Sequence, residues 1–145
     1  MTVEFTVPGP PVGKARPRFV RATGRTYTPK NTVDFERRVK EAFLQAAPEG
    51  FKPYEKGTPL EVCIKSRFIP PKSVSKAKRS AMLMGEILPT KVPDSDNLAK
   101  SVLDGMHNVC YTNDSSVVKL SVEKRYSLVE ETVVTVREIA KEATE

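Results

Sequence analysis

The 145-residue sequence has few of the residues that build disulfide frameworks or zinc sites. It contains two cysteines and one histidine. Cys63 and Cys110 match no zinc-ligand spacing, and their apolar, strand-like surroundings predict two reduced, partly buried thiols. His107 alone makes a poor case for zinc. The sequence therefore favours neither a disulfide-stabilised protein nor a zinc protein.

Long apolar segments are also missing from the sequence. No run approaches the roughly 18 residues that a membrane span requires. The first ten residues, MTVEFTVPGP, have neither the basic region nor the apolar core of a signal peptide. These absences predict a cytoplasmic protein without a membrane partner.

Basic residues outnumber acidic ones. Lys and Arg number 24 against 18 Asp and Glu, which gives a formal net charge of +6. This balance favours a polyanionic partner, although charge alone does not identify one. The length predicts a single domain over residues 1–145 with one core, and the polar tail from about 139 is expected to fray.

Hydrophobic periodicity predicts about five or six strands and about three helices. Period-two patterns place strands near 3–7, 60–68, 118–126 and 133–136. The turn-like stretch ATGR predicts two further short strands on either side of it, near 19–20 and 26–28. Period-3.6 patterns place helices after a cap at Thr28 and from Asp96 to about Asn108. A cap at Ser73 or Ser75 and a stop at Gly85 predict a short helix between them. Because strands and helices alternate along the chain, we expect a mixed α/β sheet covered by helices.

Acidic residues gather in one segment of this basic chain, PDSDNLAKSVLDGMHNVCYTNDSSVV. Asp94 and Asp96 are two residues apart, so in an extended segment both carboxylates project to one side and repel unless a cation lies between them. Mg²⁺ prefers one or two protein carboxylates together with waters and phosphate oxygens. Asp114 lies in a turn that can fold back to supply a third carboxylate. The segment is a candidate metal site.

Each of these residues also has a purely structural explanation. Asp94 or Asp96 can be a helix N-cap, and Asp114 can be an ordinary turn residue. Lys100 lies one turn after Asp96, where it can touch an anionic substrate or pair with Asp96 or Asp104. The residues alone leave these alternatives open.

Two segments concentrate the positive charge. The first holds Lys14, Arg16, Arg18, Arg21 and Arg25, and the second holds Lys72, Lys76, Lys78 and Arg79. Arginines on a loop and short strands suit phosphate contacts, which position DNA without reading its sequence. A solvated surface is the alternative, especially for the second segment. A metal site flanked by phosphate-binding segments predicts a metal-dependent nuclease.

The acidic segment resembles the signature of the RusA family of Holliday junction resolvases. That signature has two aspartates separated by one residue, an asparagine, a lysine four positions after the second aspartate, and an acidic turn before a strand. GPPVGKARPRF resembles the opening of the same family, and the similarity extends from Val3 to about Val136. The family often has two acids at the turn, where this chain has Asn113 and Asp114.

Position by position, the resemblance implies roles for individual residues. The metal-binding catalytic carboxylates would be Asp94, Asp96 and Asp114, the catalytic lysine would be Lys100, and Asn97 would support the site. The expected DNA contacts are Lys14, Arg16 and Arg18, with Lys72 and Lys76 from the second basic segment. Phe19 would lie either in a dimer core or against the junction.

The resemblance also implies the partners and cofactor of the protein. It implies a homodimer acting on branched DNA with Mg²⁺, or alternatively Mn²⁺, and with no small-molecule cofactor. A two-fold symmetric dimer suits a four-way junction because resolution requires two matched nicks. A bacterial or prophage-encoded origin is implied as well. The main alternative is a non-catalytic nucleic-acid-binding module, and a weaker one is a hydrolase of small phosphate esters, which would need a concave pocket.

Overall fold

A computed structural model describes residues 1–140. Its elements, in order, are β1 (Thr2–Pro8), β2 (Arg18–Val20), β3 (Arg25–Tyr27), α1 (Lys30–Ala46), β4 (Leu60–Phe68), α2 (Lys76–Leu83), α3 (Ser95–Met106), β5 (Val117–Tyr126) and β6 (Glu131–Glu138). A short 3₁₀ turn, Asp114–Ser116, precedes β5. These strands and helices confirm the predicted single mixed α/β domain.

The principal sheet has four strands in the order β1-β6-β4-β5. β6 runs antiparallel to both β1 and β4, whereas β4 and β5 are parallel. Parallel neighbours need a long crossover, and here α2 and α3 supply it between β4 and β5. β5 is therefore an edge strand with a neighbour on one side only. β2 and β3 form a separate two-stranded hairpin.

The hydrophobic core lies between one face of the sheet and the helices α1 and α3. Side chains of β1 alternate as its sequence predicts, so that Val3, Phe5 and Val7 are buried and their neighbours are exposed. Phe43 of α1 packs edge-to-face on Phe5, with ring centroids 5.6 Å apart. Burial of such aromatic pairs holds α1 on the sheet.

The opposite face of the four-stranded sheet carries no buried side chain among the described residues. Its members are polar or half-buried, and they include an ion-pair cluster around Glu61. Arg137 Nε donates to the Glu61 carboxylate over 3.0 Å, and Lys119 Nζ lies 3.3 Å from it. Hydrogen bonds from Arg137 and Lys119 lower the pKa of the Glu61 carboxyl. The sheet is thus covered by helices on one side only.

The two long helices touch at Gly105. A Cβ atom there would lie 2.6 Å from Val39 Cβ and 2.9 Å from the Glu36 backbone oxygen. Both distances are shorter than a normal contact, so only glycine allows α3 to approach α1 this closely. This contact fixes the position of α3, which carries the candidate acidic residues at its start.

Some local expectations are confirmed and one is wrong. Ser75 caps α2 by accepting a hydrogen bond from Lys78 N–H over 3.2 Å. Thr28 does not cap α1, because the helix begins at Lys30 and the Thr32 N–H donates to the Pro29 carbonyl (3.1 Å) and to Asn31 Oδ1 (2.9 Å). The N–H groups at the start of α1 are therefore accepted by the Pro29 carbonyl and the Asn31 side chain, and not by the Thr28 side chain.

Other predictions concern the cysteines, the membrane and the C-terminus. Cys63 and Cys110 are both free thiols, as predicted. No helix within residues 1–140 is long and apolar enough to cross a membrane. Of the tail expected to fray from about 139, Ile139 is held by a backbone hydrogen bond to Pro59 (2.9 Å), whereas residues 141–145 lie outside the described part.

Candidate active site

The N-terminus of α3 presents two exposed carboxylates. Asp94 occupies the N-cap position, and its carbonyl accepts the Leu98 N–H over 3.0 Å, but its side chain makes no capping hydrogen bond. Asp96 lies in the first helical turn. Neither carboxylate has an ion-pair partner anywhere in residues 1–140. Helix capping therefore leaves both carboxylates available at the positive end of the helix dipole.

A lysine from the sheet fixes the segment that leads into α3. Lys124 Nζ, near the end of β5, donates to the backbone carbonyls of Lys91 (2.6 Å) and Pro93 (2.8 Å). These contacts place the start of α3 beside the C-terminal end of β5. No periodic pattern in the sequence pointed to Lys124, because its partners are backbone atoms more than thirty positions away.

The N-terminal loop holds the start of α3 from the other side. The Lys14 N–H donates to the Asn97 carbonyl over 2.8 Å, and Ser101 Oγ donates to the Val12 carbonyl over 2.7 Å. Gly13 lies so close that a Cβ there would be 2.8 Å from Pro93 Cβ. Asn97, which the resemblance assigns to supporting the site, contributes its backbone carbonyl to this contact, and its side chain is exposed. Ser101 was not anticipated from the sequence.

Lys14 and Lys100 differ in how freely their charges face solvent. Lys14 Nζ lies 2.8 Å from Glu36 and 3.0 Å from Asp104, which joins the N-terminal loop to both α1 and α3. Burial acts to lower the Lys14 pKa, but the hydrogen bonds to Glu36 and Asp104 outweigh it and the pKa is raised. Lys100 is more open and lies 3.5 Å from Asp104. Asp104 therefore pairs with both lysines, and Lys14 is engaged inside the protein.

Asp114 opens the 3₁₀ turn before β5, and its side chain is exposed. The turn is capped by Asn113, whose Oδ1 accepts the Ser115 N–H over 2.9 Å. The buried Tyr111 hydroxyl donates to the Leu103 carbonyl near the C-terminal end of α3. Burial raises the Tyr111 pKa, and negative charge on Cys110 and Asp114 raises it further. Tyr111, three residues before Asp114, thus ties this turn to the far half of α3.

The three candidate carboxylates do not gather within one chain. Asp94 and Asp96 lie at the start of α3, whereas the turn that carries Asp114 is tied through Tyr111 to the far half of this helix. A helix of twelve residues has ends roughly 18 Å apart. Among residues 1–140, no three Asp, Glu, His or Cys side chains lie close enough to hold a metal ion together. The Asp94–Asp96 pair by itself fits Mg²⁺, which accepts one or two protein carboxylates. A metal-binding role for all three remains a prediction.

The β2–β3 hairpin forms an exposed basic surface. Its four exposed arginines have no acidic partner in the described part of the chain; they are Arg16 just before the hairpin, Arg18, Arg21 and Arg25. Phe19 and Tyr27 on the same hairpin are 64% and 47% exposed. Phe19 thus belongs to no core of the single chain. Lys72 and Lys76 are exposed as well, before and at the start of α2.

An open groove adjoins the acidic pair. It has a volume of about 330 Å³ and lies between the N-terminal loop and the start of α3, lined by Gly13, Lys14, Asn31 and Asn97 among others. The basic hairpin follows this loop directly in the chain. The groove thus lies between the acidic start of α3 and the loop that leads into the arginine-rich hairpin.

Two comparisons with known proteins agree with this arrangement. The sequence profile described as endodeoxyribonuclease RusA matches residues 8–137. A Bacillus subtilis (strain 168) protein described as uncharacterized protein YqaN is 34% identical over 142 residues, covering 95% of this chain and 97% of that protein. The matched region includes the basic hairpin, α3 and the turn at Asp114. The chain therefore belongs to the RusA family of endodeoxyribonucleases, enzymes that act on branched DNA such as Holliday junctions.

Proposed function

We propose that this protein is a Mg²⁺-dependent endodeoxyribonuclease that resolves four-way DNA junctions in recombination and repair. It would act as a homodimer that makes two symmetric nicks. The observation that carries the proposal is the pair of exposed carboxylates at the start of α3, neither of which has an ion-pair partner in residues 1–140. Because DNA lies in the bacterial cytoplasm, we propose that compartment, with a host or prophage gene as its source.

The acidic pair needs a cation before DNA can approach. A phosphodiester brings negative charge toward Asp94 and Asp96, and like charges at close range repel strongly. A divalent cation removes this repulsion, and the two carboxylates suit a hard ion such as Mg²⁺ or Mn²⁺. When bound there, the ion supplies the Lewis-acid chemistry of phosphodiester hydrolysis. We propose Asp114 as the third carboxylate of this site.

Lys100 is placed to act beside the acidic pair. It follows Asp96 by one helical turn, and its side chain is 56% exposed while Nζ stays 3.5 Å from Asp104. That ion pair orients the ammonium without burying it. A positioned ammonium stabilises negative charge that develops on a phosphate in the transition state. We propose this role for Lys100, with Arg16 and Arg18 holding the DNA backbone nearby.

The engagement of Lys14 changes its proposed role. Its ammonium is already shared between Glu36 and Asp104, so a DNA phosphate would have to displace two carboxylates to reach it. We propose that Lys14 positions the N-terminal loop and thereby the arginines that follow it. The direct phosphate contacts then come from Arg16, Arg18, Lys72 and Lys76, all of which are exposed.

A nicking assay tests the proposed function. A labelled mobile four-way junction is incubated with the protein and Mg²⁺, Mn²⁺ or EDTA, and the products are resolved on a denaturing gel. We expect paired nicks with 5′-phosphate and 3′-hydroxyl ends in either metal ion and none in EDTA. A linear duplex of the same sequence and a mononucleotide ester serve as controls. Binding without nicking under every condition would instead indicate a non-catalytic DNA-binding module.

Replacing Arg16 by alanine is expected to weaken junction binding about equally for all sequences. One phosphate contact contributes about 0.9 to the slope of log K against log salt, so the slope should fall by roughly one unit. Fluorescence anisotropy titrations between 50 and 200 mM salt, roughly the range over which such contacts are resolved, measure it. Arg37→Ala is the matched control, because Arg37 is exposed on α1 and pairs with Asp34. An unchanged slope in Arg16→Ala would remove Arg16 from the interface.

A further inference from the structure

The edge strand β5 is unusually open for a strand of its length. It has ten residues and hydrogen-bonds to β4 on one side only, so a row of backbone N–H and C=O groups faces outward. Val118 and Leu120 on this strand are 64% and 44% exposed. Proteins normally shorten, charge or cover such an edge, because it readily pairs with another strand. An uncovered apolar edge indicates a partner strand.

The other edge of the sheet shows a contrasting pattern. The apolar side chains of β1 are all buried, with Val3, Phe5 and Val7 at most 4% exposed. Lys119, the one lysine near the centre of the β5 edge, does not shield it, because its ammonium turns to Glu61 on the uncovered face of the sheet. Of the two edges, β5 alone offers both unpaired backbone and exposed apolar side chains.

We propose that β5 pairs antiparallel with β5 of a second copy of this chain, and that this dimer places the partner subunit's Asp114 beside Asp94 and Asp96. The first half of the proposal concerns the interface and stands on the open edge. The second half rests on the proposed function, since it concerns the metal site. Together they assign β5 as the dimer interface and propose that residues of both chains form each active site.

Side-chain chemistry favours one register for this pairing. A two-fold axis through an antiparallel pair sets one residue opposite its own copy. With Leu120 at the axis, the two leucines meet and Val118 faces the partner subunit's Val122, which forms an apolar cluster across the interface. A register centred on Lys119 would instead oppose two like charges, which is destabilising. We therefore place Leu120 at the axis.

Antiparallel pairing has a direct consequence for the acidic residues. It sets the beginning of one β5 beside the end of the other, and with Leu120 at the axis Ser116 lies opposite the partner subunit's Lys124. Lys124 is the residue whose ammonium binds the carbonyls just before Asp94. The turn that carries Asp114 therefore reaches the start of the partner's α3. This explains why one chain alone leaves Asp114 apart from the pair.

Mixed dimers test whether the site is shared. Asp96→Asn and Asp114→Asn are each expected to abolish nicking. In a dimer with one variant of each kind, a shared site joins the intact Asp96 of one chain to the intact Asp114 of the other. A random 1:1 mixture contains half heterodimers with one intact site of two, so about a quarter of wild-type nicking should return. Sites formed within one chain would give no recovery.

Metal binding provides a readout that does not depend on cleavage. Heterodimers purified through two different tags are titrated with Mn²⁺ in a calorimeter, alongside both homodimeric variants and the wild type. We expect two tight sites per wild-type dimer and one per heterodimer, and none in either homodimeric variant. The absence of a tight site from the heterodimer would overturn the shared site. Two tight sites in the Asp114→Asn homodimer would remove Asp114 from the metal.

Cysteine cross-linking tests the interface itself. In a Cys63→Ser background, Leu120→Cys is expected to form a disulfide-linked dimer on mild oxidation, because opposed residues of an antiparallel pair are 4.5–5.5 Å apart, roughly the span a disulfide needs. Cys110 can stay, since burial raises its thiol pKa to about 12. Thr6→Cys on the β1 edge is the matched control and should stay monomeric on the gel.

The two halves of the proposal fail in different ways. A Leu120→Cys protein that nicks junctions as a dimer but never cross-links would overturn the β5 interface and leave the nuclease intact. A Leu120→Cys protein that cross-links as a dimer but nicks no junction in any metal ion would support the β5 interface and contradict the proposed nuclease function. Leu120→Glu gives a second measure, because burying two opposed, unpaired carboxylates at the axis should yield a monomer by light scattering. A stable Leu120→Glu dimer would contradict the interface.

Discussion

Replacing Asp96 by asparagine is expected to abolish cleavage of a four-way junction while leaving the binding of that junction nearly unchanged. Asparagine keeps the size of the side chain but removes the negative charge that a divalent ion requires. A loss on the order of a thousandfold in cleavage rate corresponds to about 4 kcal/mol of transition-state stabilisation, within the several kcal/mol that a catalytic metal ion supplies. Because Asp96 is exposed and unpaired in residues 1–140, the fold should tolerate the change.

Single-turnover nicking and anisotropy on the same labelled junction measure the two effects separately. Asp34→Asn is the matched control, because Asp34 is a partly exposed acid on α1 whose ion-pair contact, to Arg37, is long at 3.7 Å. The control should cleave at the wild-type rate. If Asp96→Asn cut the junction as fast as the wild type in Mg²⁺, the acidic pair at α3 would not be the active site.

Gly105→Leu is expected to destabilise the protein by about 3 kcal/mol, the upper part of the range for overpacked cores. The first atom of any side chain at Gly105 would lie 2.6 Å from Val39 Cβ and 2.9 Å from the Glu36 carbonyl. The obstructing carbonyl belongs to the α1 backbone, so a simple rotamer change cannot relieve the contact. The helices would have to separate, and α3 would lose its fixed position.

Urea unfolding followed by circular dichroism measures the loss. Gly105→Ala should also lower the free energy of unfolding, but by less, because alanine gains up to about 1 kcal/mol in helix propensity. Ala77→Leu, on an exposed position of α2, is the control and should stay within about 0.5 kcal/mol of the wild type. A Gly105→Leu protein as stable as the wild type would show that α1 and α3 are not in close contact there.

The strands and helices were predictable because their signals are local. The turn-like stretch ATGR located even the short β2–β3 hairpin, and helical periodicity located α1 and α3. The order of the strands was not predictable, since β6 follows β5 through a short turn yet inserts between β1 and β4. Strand pairing depends on contacts between distant segments, which leave no periodic signal in either segment.

In the candidate site, too, local contacts were predictable from the sequence and contacts between distant segments were not. The location of Asp94 and Asp96 at the start of α3 and the pairing of Lys100 with Asp104 follow from local signals, the latter from a spacing of four residues. The helix already begins at Ser95, so the extended geometry assumed for the two aspartates is not what the structure has. Lys14 binds Glu36 and Asp104, which are far from it in sequence. The sequence therefore showed five similar basic residues and did not reveal that the first of them, Lys14, is paired inside the protein. The position of Asp114 likewise depends on the direction of β5 relative to α3.

Val118 and Leu120 show a further limit of pattern analysis. Their alternation correctly identified a strand, but it did not reveal that the strand lies at an edge. Alternation reports which side chains share a face, whereas exposure depends on what else covers that face. Here the same apolar residues that define the strand remain open to solvent.

The face of the sheet that no helix covers should tolerate amino-acid substitutions during evolution more readily than the core. Residues such as Thr135, Ser121 and Lys65 stand there without a second layer above them. A substitution at such a position forces no neighbouring helix to shift, and only cross-strand neighbours feel it. Sequence drift should therefore accumulate on this face sooner than around α3.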